Sequence, residues 1–226
     1  MATLHVLKVF VGEDGAGGNP LGVFLEGSAV PEEGRQRVAA DLGFAETVFV
    51  DDPERGELRI FTPETELPFA GHPLVGTAWL LAQEGLETPV LRPPAGEVPV
   101  RFEDGATFVS GKPEWAPPFE HIELDSPAEV DVLEGPPEGH DLAGVWAWDD
   151  EAAGRVRVRV FAPRVGVEED EATGSHAVRL ATRLGKITIH QGRGSIILAE
   201  PKSDGSVEIG GRTELVEVRE YEGGSL

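Results

Sequence analysis

Hydrophobic and polar positions alternate over short stretches along most of this chain, the two-residue period of strands that bury one face. Leu4-His5-Val6-Leu7-Lys8-Val9-Phe10 sets the pattern, and residues 4–11 and 22–25 read as strands around a glycine-rich turn, Gly15-Ala16-Gly17-Gly18-Asn19-Pro20. Further short strands are predicted at 47–50, 57–61, 98–102, 107–110, 144–148, 155–162, 186–190, 194–199, 206–209 and 214–220. Three stretches change to helical spacing. Residues 31–42 open with Pro31-Glu32-Glu33, carry Val38, Ala39 and Leu42 on one face and stop at Gly43. Residues 73–84 place Leu74, Ala78 and Leu81 together, with Pro73 suited to a first turn and Gly85 as the stop. Residues 173–184 do the same with Val178, Ala181 and Leu184. Prolines at 93–94, 113–118 and 136–137 interrupt the middle.

Within this pattern the chain repeats itself. Arg59-Ile60-Phe61-Thr62-Pro63 returns as Arg159-Val160-Phe161-Ala162-Pro163, and each copy is followed by a glycine-containing turn that opens an apolar helix. The first helix starts at Gly71-His72-Pro73, the second at Thr173-Gly174-Ser175-His176. An α+β fold of two similar domains is expected, residues 1–105 and 106–226. Each is strand-rich around one central helix, with the last strand packing back on the first domain. Helix starts present unpaired N–H groups, so two of them aimed at one cleft favour a small carboxylate-bearing ligand.

Composition narrows the function classes. The chain has 226 residues, enough for two domains of about a hundred residues each. No run approaches the roughly 18 apolar residues of a membrane span, and the first ten residues read as strand rather than signal peptide. The absence of cysteine excludes disulfides, thiolate metal sites and thiol nucleophiles, and cytoplasmic residence is the expectation. With 41 acidic and 19 basic residues the net charge is -22, which opposes binding to nucleic acid or anionic membranes.

Three ionisable residues stand out. Glu46 lies in Phe44-Ala45-Glu46-Thr47-Val48, a carboxylate among apolar neighbours. Burial raises such a pKa toward the range useful for proton transfer; a surface or capping glutamate is the alternative. His72 stands at a helix start, where a structural histidine bonded to backbone would read the same. Asp170 precedes Glu171-Ala172-Thr173-Gly174-Ser175 and serves either as a helix cap or as part of a site.

The blocks Gly18-Asn19-Pro20-Leu21-Gly22-Val23-Phe24, Ala45 to Val50, Glu66 to Pro73, and Glu169 to Ser175 appear in the order of the PhzF-like isomerase family of phenazine biosynthesis, which this chain resembles. That family shares its fold with diaminopimelate epimerase and proline racemase. The resemblance implies two domains, each a barrel-like, mostly antiparallel sheet around a central helix, with the active site between them. It implies Glu46, His72 and Asp170 as catalytic residues and Gly71, Gly174 and Ser175 as contacts to the substrate carboxylate; Asn19 and Pro73 in the matching blocks, and His176, where the family carries alanine, are further candidate substrate contacts. The implied reaction is a cofactor-independent proton shift on a dihydrohydroxyanthranilate-like carboxylate. Family members are often dimers, so a homodimer is the implied assembly. The two-cysteine chemistry of the racemase relatives is excluded by composition. The family pattern Glu-Asp-Pro-Ala-Thr-Gly-Ser-Ala is altered here at Glu171 and His176, and the second half is shorter than usual. A small-carboxylate binding protein without turnover, or a metabolite-repair enzyme with another substrate, are the alternatives.

Overall fold

The computed structural model describes residues 2–221. It opens with β1 (Ala2–Val11) and β2 (Gly17–Phe24), an antiparallel hairpin in register from His5↔Val23 to Val11↔Gly17. The glycine-rich run predicted as a turn over 15–20 is largely strand: the turn closes through Gly12 N–H to Ala16 C=O, and Gly17 to Pro20 join the ladder. Positive φ at Gly17 and Gly18 bends this strand start toward residues 194–195, where a Cβ on Gly17 would lie 2.4 Å from Ser195 N.

α1 (Glu32–Leu42) ends at Gly43, whose left-handed backbone at φ 66° returns an N–H to Ala39 C=O. β3 (Glu46–Asp52) and β4 (Glu57–Phe61) form a hairpin, β5 (Glu66–Leu67) pairs back on β4, and α2 (Gly71–Gln83) follows. β6 (Val90–Leu91), β7 (Val98–Glu103) and β8 (Ala106–Gly111) complete the wrap, with the β7–β8 hairpin turning at residues 104–105 and β8 lying against α2. Arg92 N–H to Gly56 C=O at 2.7 Å and Leu58 N–H to Arg92 C=O at 3.4 Å join the end of β6 to the start of β4. A ring β4-β3-β2-β1-β15-β8-β7-β6 thereby closes once β15 (Val207–Tyr221) is placed between β1 and β8. α2 sits inside it, with Leu74, Val75, Ala78, Leu80 and Leu81 all buried.

Next come β9 (Glu120–Glu123), α3 (Pro127–Asp131), β10 (Ala143–Asp150), β11 (Arg155–Ala162), β12 (Val167–Asp170), α4 (Gly174–Leu184), β13 (Ile187–Gln191) and β14 (Ser195–Pro201). The sheet runs β15-β14-β13-β11-β10-β9, and α4 packs on β13, β14 and β15. The two strands predicted at 206–209 and 214–220 are one: β15 pairs with β14 and β8 at its start and with β1 from Arg212 onward.

The sequence repeat is a structural repeat. β3-β4-β5-α2 and β10-β11-β12-α4 share order and pairing. In the first, Arg59 lies over Phe61 at 5.5 Å and forks onto Glu66 at 2.7 and 2.6 Å. In the second, Arg159 lies over Phe161 at 5.0 Å and forks onto Glu169, both bonds 2.7 Å. A planar guanidinium matches both partners at once, which explains why the repeated motif keeps arginine.

Candidate active site

The two helix starts meet at the centre of the molecule. A Cβ on Gly71 would lie 2.8 Å from Gly174 Cα, and one on Gly174 equally close to Gly71 Cα, so two glycines are what permits the approach. The first intrahelical bonds are Leu74 N–H to Ala70 C=O and Ala177 N–H to Thr173 C=O, which leaves the amides of Gly71, His72, Gly174, Ser175 and His176 outside the helical ladders. Neither Ala70 nor Thr173 caps its helix with a side chain. The local field at this junction is therefore positive and suits an anion.

Glu46 reaches the junction because Gly43 ends α1 and β3 begins three residues later, beside β2 with Leu21 opposite Glu46. Its Oε2 stands 3.3 Å from His72 Nε2, and neither atom has a hydrogen-bond partner. Burial first, and the neighbouring Asp170 charge second, hold the Glu46 carboxyl well above its ordinary range. Burial pushes the His72 imidazole down to about 3 against the opposing effect of the Pro20 backbone, so this ring is neutral at physiological pH. The pair is consequently a carboxyl facing a neutral imidazole, not a salt bridge.

Asp170 ends β12 opposite Val160. Asn19 Nδ2 donates to its Oδ1 at 2.8 Å and Thr173 Oγ1 to its Oδ2 at 2.7 Å. Burial nevertheless pushes the Asp170 carboxyl up to about 6, with Glu171 adding to the rise and the two hydrogen bonds opposing it. Glu46, Asp170, Thr173 and Ser175 all line one cavity of 340 Å³. Its far wall is apolar: Pro117, Phe119, Leu142, Val160, Ala162 and Val167. Thr62, Glu64 and Thr65 bound it from the β4–β5 connection, and Arg164, paired with Asp141, stands at its edge.

The structure thus gathers Asn19, Glu46, Gly71, His72, Asp170, Gly174 and Ser175 at one place. Of these, Glu46, Asp170 and Ser175 line the cavity, while Asn19, Gly71, His72 and Gly174 lie behind its wall; Pro73, buried in the first turn of α2, does not line it either. His176 is turned away from it. Its ring is fully buried, edge-on to Phe119 at 5.4 Å, with Nε2 3.2 Å from His121 Nδ1. It fills the space that a Cβ on Gly144 would need, 1.8 Å from that Nε2, so Phe119 faces the cavity in its stead. The sequence reading missed the apolar wall, most of which comes from the proline-rich middle and from β10–β12. The repeat held a signal for part of it: the residues after the two Phe copies, Thr62 and Ala162, both face the cavity. Among the described residues, no three His, Asp or Glu side chains are grouped to hold a metal ion, and no helix is long and apolar enough to cross a membrane.

The sequence profile of the phenazine biosynthesis-like proteins (PhzC-PhzF) matches residues 7–135. The chain belongs to that family. It is 33% identical over 211 residues to trans-2,3-dihydro-3-hydroxyanthranilate isomerase of Pseudomonas aeruginosa, covering 75% of each chain. The fold matches a phenazine biosynthesis PhzC/PhzF protein of Clostridium difficile with a TM-score of 0.80 at 20% identity, covering 98% of this chain and 100% of the other. A hydroxyproline epimerase of Agrobacterium vitis, solved with trans-4-hydroxy-L-proline bound, matches with a TM-score of 0.62 at 11% identity over 96% of this chain and 91% of its own. The fold is therefore the one shared by PhzF proteins and the proline racemase-type epimerases, and within the family the chain is an enzyme of the isomerase class.

Proposed function

We propose that this family member moves a proton on a small carboxylate substrate, with Glu46 as the group that takes the proton from one carbon and returns it at another. The observation that carries this reading is a carboxyl of raised proton affinity on the wall of a cavity that also takes in Thr173 and Ser175 at the uncapped start of α4, against which the uncapped start of α2 packs at Gly71. A carboxyl raised above its ordinary range by burial binds a proton more readily than a free one, which suits a group that takes a proton and returns it. The substrate carboxylate is held by the amides of Gly71, His72, Gly174 and Ser175, which also stabilise negative charge as it develops. Neutral His72 lies against Glu46 and keeps that carboxyl turned into the site, while Asp170 stays fixed by Asn19 and Thr173. The apolar wall receives the hydrocarbon face of the substrate and excludes water. No redox cofactor enters, because a proton that leaves one carbon and returns to another changes no net oxidation state. The substrate class we favour is a cyclic unsaturated amino or hydroxy acid of the dihydrohydroxyanthranilate type, on which the named relative acts.

Solvent-deuterium incorporation, followed by mass spectrometry across dihydrohydroxyanthranilate and a panel of small amino and hydroxy acids, tests this. Exchange by the wild type that vanishes in Glu46→Gln is the expected result. Ligand-induced stabilisation without exchange in either protein would make the chain a binding protein.

A further inference from the structure

Behind Asp170, two turns from distant parts of the chain are locked together by hydrogen bonds around a buried serine hydroxyl. Ser195 Oγ accepts from Gly18 N–H at 2.8 Å and donates to Glu171 Oε1 at 2.8 Å; that same oxygen accepts from Arg193 N–H at 2.8 Å. The hydroxyl therefore has both roles assigned and is fully buried. Glycines make the fit possible: a Cβ on Gly17 would lie 2.7 Å from Ser195 Oγ, and one on Gly192 would lie 2.3 Å from the Glu171 carboxyl carbon.

The residues on either side of this lock are the ones that hold Asp170. Asn19, next to Gly18 and 2% exposed, donates to Asp170 Oδ1 and to Ala172 C=O. Gln191, next to Gly192 and 1% exposed, donates to Asp170 C=O and to Thr173 Oγ1, and accepts from Thr173 N–H. A shift of the Gly18 turn thus moves the donor on the Asp170 carboxyl itself.

We infer that Glu171 and Ser195 are positioning residues, a clamp that seats Asn19 of β2 on Asp170 and thereby fixes the orientation and proton affinity of that carboxyl. This rests on the role of Asp170 in the proposed function. Glu171 stands where the family pattern carries proline; here the position supplies an acceptor that a proline cannot. The clamp acts in two opposed ways. Through Ser195 and Asn19 it delivers a hydrogen bond that favours the Asp170 carboxylate; through its own charge, Glu171 disfavours that carboxylate. The charged or titratable groups facing Asp170 are Glu46 from β3 and Glu171 from its own loop, with His72 beyond Glu46.

The opposition gives a signature that a purely structural contact lacks. The experiment is a pH titration of the Asp170 carboxyl by carbon-13 NMR in selectively labelled full-length protein, the resonance being assigned with Asp170→Asn. Ser195→Ala unseats Asn19 and keeps the Glu171 charge, so the Asp170 midpoint moves up. Glu171→Gln keeps the acceptor oxygen and loses the charge, so the midpoint moves down. In the exchange assay Ser195→Ala loses roughly ten- to a hundredfold in kcat with KM little changed, as expected of a misplaced group, while Glu171→Gln retains most of its rate. Unmoved midpoints, or midpoints moving the same way in both variants, overturn the clamp. Should Ser195→Ala fail to fold, Glu171→Ala, which loses charge and acceptor together, is compared with Glu171→Gln, which loses the charge alone: a higher Asp170 midpoint in Glu171→Ala than in Glu171→Gln supports the clamp, and equal midpoints remove it. The titration needs no substrate, so it stands or falls separately from the exchange activity that tests the proposed function.

Discussion

The sheet around α2 closes on itself where Arg92 meets the start of β4, whereas the sheet around α4 ends at β9 and leaves Thr182 and Arg183 of that helix exposed. The two helices differ accordingly. α2 is apolar on every side, the composition of a helix with no solvent face, while α4 buries Ala177, Val178, Leu180 and Ala181 on one side only. The carboxyls at their starts follow the same division. Glu46 is set by burial, with its Oε2 enclosed against His72 and without a hydrogen bond. Asp170 is equally removed from water but is tied by Asn19 and Thr173. The junction of the two helix starts thus holds two unequal acids from non-equivalent places in the repeat, Glu46 at the start of β3 and Asp170 at the end of β12, one without a fixed hydrogen-bond partner at Oε2 and one tied, which is the separation that acid–base sites require.

The sharpest way to break that comparison is to neutralise each acid. Glu46→Gln is expected to lower proton exchange by about a thousandfold, within the range of a lost general acid–base group. Asp170→Asn keeps an oxygen for Asn19 and is expected to cost at least about tenfold less. Equal losses measured in the exchange assay would show two equivalent acids and end the distinction. Next in size is packing. Leu81 in the closed ring and Leu180 in the open one are both fully buried. Replacement by alanine costs about 2–5 kcal/mol depending on how well the site can collapse. Leu81→Ala belongs at the upper end, because the closed ring cannot relax, and Leu180→Ala at the lower end; chemical denaturation of the two variants measures the gap.

The parts of this architecture visible in the sequence are those carried by local patterning. Leu74, Ala78 and Leu81 declared α2, and the repeat of Arg59-x-Phe61 in Arg159-x-Phe161 declared the duplicated frame. The approach of Gly71 to Gly174 was foreseeable because both stand at helix starts after matching motifs. What patterning does not carry is pairing across long separations. Gly17 and Gly18 read as turn residues, since nothing local reveals that residues 194–195 crowd Gly17, or that Lys8 and Val11 crowd Gly18, and make glycine necessary within a strand. Phe119 belongs to the proline-rich middle, and only the β9–β10 parallel pairing brings it to the cavity wall. The same blindness put His176 at the site: helical periodicity places it one residue after Ser175, but the space beside Gly144 that receives its ring comes from another strand.

A smaller effect concerns pH and distinguishes what the site costs from what it does. The Asp170 carboxyl titrates at about 6 in the folded chain, above its ordinary value of 3.8. A raised folded value means that this group favours folding below the ordinary carboxylate range, and that the contribution is lost as pH rises through about 6. Asp170→Asn removes that loss. The variant is expected to be more stable than the wild type at pH 7, by on the order of 1–3 kcal/mol, and nearly equal to it at pH 4. Thermal unfolding at the two pH values checks the sign. A variant less stable at pH 7 would mean that the hydrogen bonds from Asn19 and Thr173 outweigh burial.

The smallest expected effect bears on the frame itself, through the matched pairs Arg59–Glu66 and Arg159–Glu169. Arg59 is about one-third exposed, and pairs of that kind contribute little, so Arg59→Leu is expected to cost less than about 1 kcal/mol. Arg159 is 14% exposed and does more than pair: its Nη1 also donates to the carbonyls of Val130, Asp131 and Leu133, with Leu133 C=O at 2.6 Å. Arg159→Leu leaves those carbonyls without their charged donor, at about 1–3 kcal/mol. The loss falls on the segment from α3 to Leu133, so amide exchange should accelerate there in Arg159→Leu and nowhere comparable in Arg59→Leu. Equal, uniform effects would mean that the two pairs are interchangeable copies. A local effect confined to the second pair would mean that the open half, lacking a closed ring, uses the repeated arginine to hold its outer layer in place.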